Sequence, residues 1–544
     1  MLQRNSDSRG YVYGTISTIW LLLVSLFEWL LSSLNALRHD NNGTVKRKRL
    51  AASDCTSWQD WKETALSLDK RTNNFRWRYY TASAEYDYKL IQRRLECLKR
   101  YRSEKNDRAI MCTLRSGFIR NLGNLGDPSL FTRTYYGTKI LIEDYVHETC
   151  KCLHSVRMSK EIPRIEKLEF FFAAKLSIGR TCLFFNGGTA YGLYHFGIAK
   201  ALWERGLLPR VIAGSASGAL IAALLGVYTK EEYPRMFSEF SSNLWETCKY
   251  TVGFSLSKLL RYGNMLDISI ILKTVRKCTG NMTFQEAYDR TGRVINIVIT
   301  PFAFSGSPVV LNYLTAPDVL IWSAARTSNS WAPVFRSSKL ITKQSDGSLK
   351  SCALEEFVGS RPERNAFFSS SAFARISEIF NVNHFVITQS RPSLFPFISD
   401  ELHHHSYHVY WVKLLRVLSL SLAFRMRQLD LLGFVPSKLR RFVLKDAVLS
   451  PHIILTPNFS FSDIVHTFTE PSPDHINYWI LVGERTAWQA ITLLRVRCKI
   501  ELAIEKAEDS LFAEGHSPDE SICRNEESES VNIKAFSETT SEMN

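Results

Sequence analysis

Three short segments carry residues whose types and spacing could act on a carbonyl or phosphoryl centre. The first, residues 186–192, reads Asn-Gly-Gly-Thr-Ala-Tyr-Gly and lies between an apolar strand pattern and a helical one. Glycines before a helix let backbone N–H groups point at an anion, either a phosphate or a tetrahedral oxyanion. The same glycines also fit a shortened dinucleotide fingerprint or a plain tight turn. The second segment, residues 212–220, reads Ile-Ala-Gly-Ser-Ala-Ser-Gly-Ala-Leu. Small residues two before and two after one position, between strand and helix, fit the sharp turn of a nucleophile elbow. Gly214 and Gly218 frame Ala216, however, and the hydroxyls stand beside it at Ser215 and Ser217. The third segment, Ser345-Asp346-Gly347-Ser348, is a turn in its own right. Beside the other two it makes Asp346 a candidate base that could take a serine proton without a histidine.

Other reactive side chains fit the chemistry less well. His195 lies inside the helical pattern after the glycine turn, and His384 begins an apolar strand pattern, so both read as structural. The run His403-His404-His405 lacks acidic or cysteine partners nearby, and no metal is expected. The 11 cysteines are scattered without regular spacing, which points to reduced thiols in a cytosol-facing protein. No metal or nucleotide cofactor is implied.

The elements that must position these residues follow from the apolar periodicity. Across residues 180–400, short apolar runs (TCLFF, LPRVIAG, VINIVIT, NVNHFVITQ) alternate with helical patterns. That alternation predicts an α/β domain with a parallel sheet covered on both faces. Residues 56–155 read as a helical domain, with Trp58, Trp61, Ala65 and Leu68 on one helix face. Residues 401–505 read as mixed and mostly helical, and 507–544 as an acidic, Ser/Glu-rich disordered tail.

The first 50 residues differ in kind. Residues 16–34 form an apolar stretch just long enough, at about 1.5 Å per residue, to span about 30 Å of hydrocarbon. Thr18, Ser25, Glu28, Ser32 and Asn35 share one side, which equally suits a helix lying in the interface or a shallow hairpin. Lys46 to Arg49 follow and favour a cytosolic flank against anionic lipid. The net charge of +15 is therefore read as membrane affinity, since no zinc-ligand, RNA-recognition or helix-turn-helix pattern supports a nucleic-acid partner.

With the three segments in this order, the chain resembles the patatin-like phospholipase family. It is more similar still to the fungal and plant triacylglycerol lipases of lipid droplets, which carry an N-terminal helical domain. Segments such as SWQDWKETALSLD, TFQEAYDRTGRVINIVI and GERTAWQAI carry that resemblance across about residues 56–505. The resemblance implies a patatin-like three-layer α/β/α core with a Ser–Asp dyad acting on triacylglycerol or phospholipid, at an endoplasmic-reticulum or lipid-droplet surface. Its oxyanion loop maps to Gly187, Gly188 and Gly192, with Thr189 in place of a third glycine. Its acid–base residue maps to Asp346 and its nucleophile to Ala216. The family's D-G-S-x-x-x-D-x-P pattern loses its second Asp and its Pro here, and residues 355–375 form an apparent insertion. Two expectations follow: a lipid acyl-ester hydrolase using Ser217 or Ser215, or a silent relative that binds lipid or a partner lipase. No H-x-x-x-x-D motif supports an acyltransferase.

Overall fold

The computed structural model describes residues 55–187, 192–249, 268–299, 308–329, 339–354, 372–389, 452–457 and 473–514, with positions 417, 421, 425 and 428. The N-terminal segment 16–34, the basic run 46–49, Gly188, the histidines 403–405 and residues 355–371 of the insertion lie outside these residues. Among the described residues no helix is long and apolar enough to cross a membrane.

The helical domain forms where the sequence places apolar residues every third or fourth position. Helix α1 (Trp58–Arg71) starts where the Ser57 side chain accepts from the Asp60 N–H, and it buries Trp58, Trp61, Ala65 and Leu68. Helices α2 (Tyr88–Ser103) and α3 (Asp107–Arg115) are capped in the same way by Asp87 and Asn106. Both pack on α4 (Ile140–Met158). Helix α5 (Arg164–Ile178) then ends at Gly179 and feeds the first strand.

Strands β1 (Arg180–Asn186), β2 (Val211–Ser215), β3 (Val294–Ile299), β4 (Val309–Leu311), β7 (Val382–Gln389) and β8 (His452–Leu455) make one sheet, in the order β4-β3-β2-β1-β7-β8. All neighbours are parallel except β3 and β4. The expectation of a parallel sheet is therefore corrected at one edge. Residues 300–308, which join β3 to β4, are too few for a crossover, so β4 returns antiparallel. A separate hairpin pairs β5 (Leu340–Lys343) with β6 (Leu349–Cys352). The sheet also reaches past residue 400, because the apolar run His452–Leu455 adds the outer strand β8.

Alternation along the strands gives each face its own core, as a period of two requires. Leu183, Phe185, Ile212, Ile295 and Ile297 point into the larger core. Cys182, Phe184, Val211, Ala213 and Val294 point into the smaller one. The larger core takes α6 (Gly192–Glu204), α7 (Ser217–Val227), α8 (Tyr233–Lys249), α9 (Ile268–Thr279) and α10 (Phe284–Thr291). It also takes α11 (Ile321–Ser328). The smaller core is covered by α12 (Ala372–Phe380). These are the three layers that the resemblance implies.

Helix α13 (Pro473–Glu514) packs on α6 in the α/β core and on α4 and α5 in the helical domain, so it joins the two. It continues past residue 507, where a tail was expected. Ala507 and Leu511 are buried one turn apart. Lys175 pairs with Glu508, Arg210 pairs with Glu505 and Asp509, and Arg164 donates to the Leu511 carbonyl. The acidic residues of this stretch thus find cations in the domains they bridge.

Candidate active site

The site is built where β2 turns into α7. Strand β2 ends at Ser215, α7 begins at Ser217, and Ala216 stands between them at φ 53°, ψ −126°. A non-glycine residue at positive φ with this ψ is strained, and such a turn lifts one side chain clear of the sheet. The apex is therefore Ala216, and neither serine occupies it. The flanking glycines are a steric necessity. A Cβ on Gly214 would lie 2.4 Å from the Gly218 carbonyl oxygen, and one on Gly218 would lie 2.3 Å from the Phe185 carbonyl oxygen.

Both neighbouring hydroxyls are engaged. Ser215 is half-buried and donates to Asn186 Oδ1 at 3.1 Å across the β1–β2 pair. Ser217 is buried and donates to the Gly187 carbonyl at 2.6 Å. That carbonyl also meets His195 Nε2 at 3.2 Å. A carbonyl only accepts, so Nε2 carries the proton and Nδ1 accepts from Thr388 Oγ1, 2.7 Å away. Complete burial pushes the His195 pKa down to about 4, and the ring is neutral at pH 7. Gly192 sits against Ser217: a Cβ there would come within 3.2 Å of the serine Cβ. The first described glycine of the loop, Gly187, is thus pinned by the helix that follows it and by the helix after the elbow. His195 was read as structural from its place in the sequence; here its ring holds the entry to the glycine loop.

Asp346 is placed differently from the dyad expectation. It occupies the exposed β5–β6 turn, where its carboxylate accepts from the Ser348 N–H at 2.8 Å and the Ser348 hydroxyl at 2.6 Å. Those bonds from Ser348 hold its pKa below the ordinary aspartate value. Among the described residues no hydrogen bond joins it to Ser215 or Ser217, so it acts here as a turn former. Gly347 closes that turn at φ 81°, its N–H donating to the Gln344 carbonyl.

Sequence reasoning gave no role to Ser328 and Asn329. They lie in the small-residue run before Asp346, and both contact the apex backbone. The signal was present in the run Thr327-Ser328-Asn329, whose side chains can bond to backbone, but nothing in sequence spacing ties it to a turn more than a hundred residues earlier. Among the described residues no cluster of His, Cys, Asp or Glu could hold a metal ion.

Two family patterns match this arrangement. Residues 183–352 match the patatin-like phospholipase family, and residues 38–176 match a domain of unknown function. Triacylglycerol lipase ptl1 of Schizosaccharomyces pombe is 54% identical over 92% of this chain and 92% of its own. Triacylglycerol lipase ptl3 of the same yeast is 29% identical over 86% of this chain and 98% of its own. Triacylglycerol lipase 4 of Saccharomyces cerevisiae is 29% identical over 83% of this chain and 52% of its own. The patatin match spans the glycine loop, the elbow and the Asp346 turn, and the first of these likenesses runs through nearly the whole of both chains: this protein belongs to the patatin-like lipases of the fungal type.

Proposed function

We propose that this chain serves the hydrolysis of lipid acyl esters, of triacylglycerol or phospholipid, at a membrane or lipid-droplet surface. The observation that carries the reading is the strained elbow between β2 and α7 with a pinned glycine at its side. An ester carbonyl over the apex would meet the start of α7, where the N–H groups of the first two residues, Ser217 and Gly218, precede the first bond of the helix, from the Ala219 N–H. Donors fixed there stabilise the oxyanion as it forms, each worth about 10²–10³ in rate. In a serine–aspartate site the apex hydroxyl attacks the carbonyl carbon and passes its proton to the carboxylate. The tetrahedral intermediate then expels the alcohol, and water later releases the fatty acid. Of the two hydroxyls here, Ser215 is the less tightly held. It is half-buried and held by one 3.1 Å bond to a neutral amide, whereas Ser217 is buried and held at 2.6 Å.

Ala216 favours a second reading. A methyl group cannot attack, and a nucleophile displaced from the apex loses much of the several kcal/mol that proximity supplies, on the order of 7–11 when fully aligned. On that reading the chain binds lipid or a partner lipase and regulates without hydrolysing.

A fluorophosphonate probe separates the two. Label on the detergent-solubilised full chain that maps to Ser215, and that Ser215→Ala or Asp346→Asn abolishes, supports hydrolysis by this chain. An unlabelled parent that gains label on Ala216→Ser supports the silent reading. An unlabelled Ala216→Ser chain would count against both forms of the site. Attachment through residues 16–34 and the basic run 46–49, with the α/β domain facing the cytosol, belongs to the same proposal. It predicts that removing residues 1–50 abolishes flotation with anionic vesicles.

A further inference from the structure

We propose that Ser328 and Asn329 are positioning residues that hold the elbow apex in its strained conformation. The inference deepens the reading of the elbow as an acyl-ester site and rests on it for its functional meaning.

An L-residue held at φ 53°, ψ −126° is strained, so neighbours must fix it. The peptide groups on both sides of Ala216 are tied to the end of α11. The Ala216 N–H donates to Ser328 Oγ at 3.0 Å. That hydroxyl gives its own proton to the Val298 carbonyl at 2.6 Å, so a lone pair is left facing the elbow. The Ala216 carbonyl accepts from Asn329 Nδ2 at 2.9 Å. The second proton of the same amide goes to the Ala325 carbonyl at 2.8 Å, and two carbonyl partners fix which end of the amide is nitrogen. A third bond, from the Ala219 N–H to the Ala216 carbonyl at 3.0 Å, comes from α7 itself. Relaxing the apex to an ordinary conformation would break all of these in a half-buried place. Val298 belongs to β3 and α11 packs on β3, so the clamp refers the apex to the sheet beside it.

Two consequences follow for chemistry. The Ala216 N–H is spent on Ser328 and cannot serve as an oxyanion donor, which leaves that work to the N–H groups after the apex. None of the clamp bonds uses the apex side chain, so the geometry is the same whether the residue carries a methyl or a hydroxyl.

The test uses the full chain carrying Ala216→Cys, with alkylation mapped by mass spectrometry because other cysteines are present. A thiol held one residue before α7 should have a pKa below the usual value of about 8.5. Adding Ser328→Ala or Asn329→Leu should raise it by about one unit and slow iodoacetamide alkylation at pH 7 by about threefold, once the greater nucleophilicity of the more basic thiolate is allowed for. Ser328→Thr, which keeps the hydroxyl, and Ile376→Val, a core change in α12, should leave it unmoved. The proposal is overturned by an ordinary thiol in Ala216→Cys alone, by no change on Ser328→Ala and Asn329→Leu, or by an equal rise with Ile376→Val. The readout needs no ester hydrolysis. A clamp-dependent thiol beside an Ala216→Ser chain that takes no fluorophosphonate would remove the hydrolase reading and leave the clamp standing.

Discussion

Glu505 offers a measurement of how α13 joins the domains. Its side chain is 4% exposed, and its carboxylate pairs with Arg210 Nε at 3.1 Å, just before β2. Burial and the neighbouring Glu501 outweigh the attraction of Arg210, and together they push its pKa up from 4.5 to about 7. An acid whose folded pKa is raised binds its proton more tightly when folded. Its contribution is full below pH 4.5 and is lost as pH rises through about 7. The shift corresponds to about 3 kcal/mol in all, at about 1.4 kcal/mol per unit, of which about 2 falls between pH 7 and pH 5. In Glu505→Gln the amide cannot titrate, so groups that do not interact with residue 505 cancel in the difference between the two proteins. Wild type should therefore gain about 2 kcal/mol on the Gln variant as pH is lowered from 7 to 5. Near pH 8 the variant should match or exceed it. Urea unfolding followed by tryptophan fluorescence at pH 5, 6, 7 and 8 gives that difference, and midpoints suffice if the slopes agree. A difference that is flat with pH, or that moves toward the variant as pH falls, would refute the argument that desolvation dominates at this pair.

Other outcomes follow from the same structure. His195 has its pKa lowered from 6.5 to about 4, so the stability it contributes is lost as pH falls through that window. The advantage of wild type over His195→Gln should accordingly shrink in urea melts between pH 6.5 and 4, opposite in sign to Glu505. Gly218→Ala drives a Cβ to 2.3 Å from the Phe185 carbonyl oxygen and should cost about 3 kcal/mol, since backbone rather than a side-chain end must yield. Ala216→Gly relieves the positive φ at the apex and should leave the melting temperature level or slightly raised, despite the usual cost of glycine. Asp346→Asn, in an exposed turn, should leave thermal melting unchanged.

The sheet was legible because buried parallel strands are written as short apolar runs between helical patterns: Leu183, Ile212, Ile295 and Val386 all fall within those runs. The elbow was legible as well, since only glycine fits at 214 and 218. The antiparallel edge β4 was not, because three residues carry no direction of their own and the short connection decides it. The end of α13 was hidden by composition. Glu508 and Asp509 read as part of a disordered tail until the fold brings Lys175 and Arg210 to them. The role proposed for Asp346 came from its place beside the other two segments and from the family resemblance. In the structure its carboxylate is taken up by Ser348, a contact that an Asp-Gly-Ser turn makes by itself.

What the elbow keeps and what it lacks come apart at one atom. The glycines at 214 and 218 and the Ser328 and Asn329 bonds act on the backbone, and Ser217 with His195 acts on Gly187. None of these contacts depends on the side chain at 216. Losing a hydroxyl there removes the nucleophile without removing anything that strains the turn, so the turn has no route to relax. An oxygen added at the apex therefore meets a backbone already set for it. Ala216→Ser should fold without rearrangement, with a melting temperature close to that of the parent. Its reactivity would then depend on a base. The Ser348 hydroxyl bonds the Asp346 carboxylate, so Ser348→Ala, which keeps only the backbone N–H bond, should loosen it and increase fluorophosphonate labelling of the Ala216→Ser chain if Asp346 is that base. Labelling that is indifferent to both Ser348→Ala and Asp346→Asn would assign the proton to another acceptor.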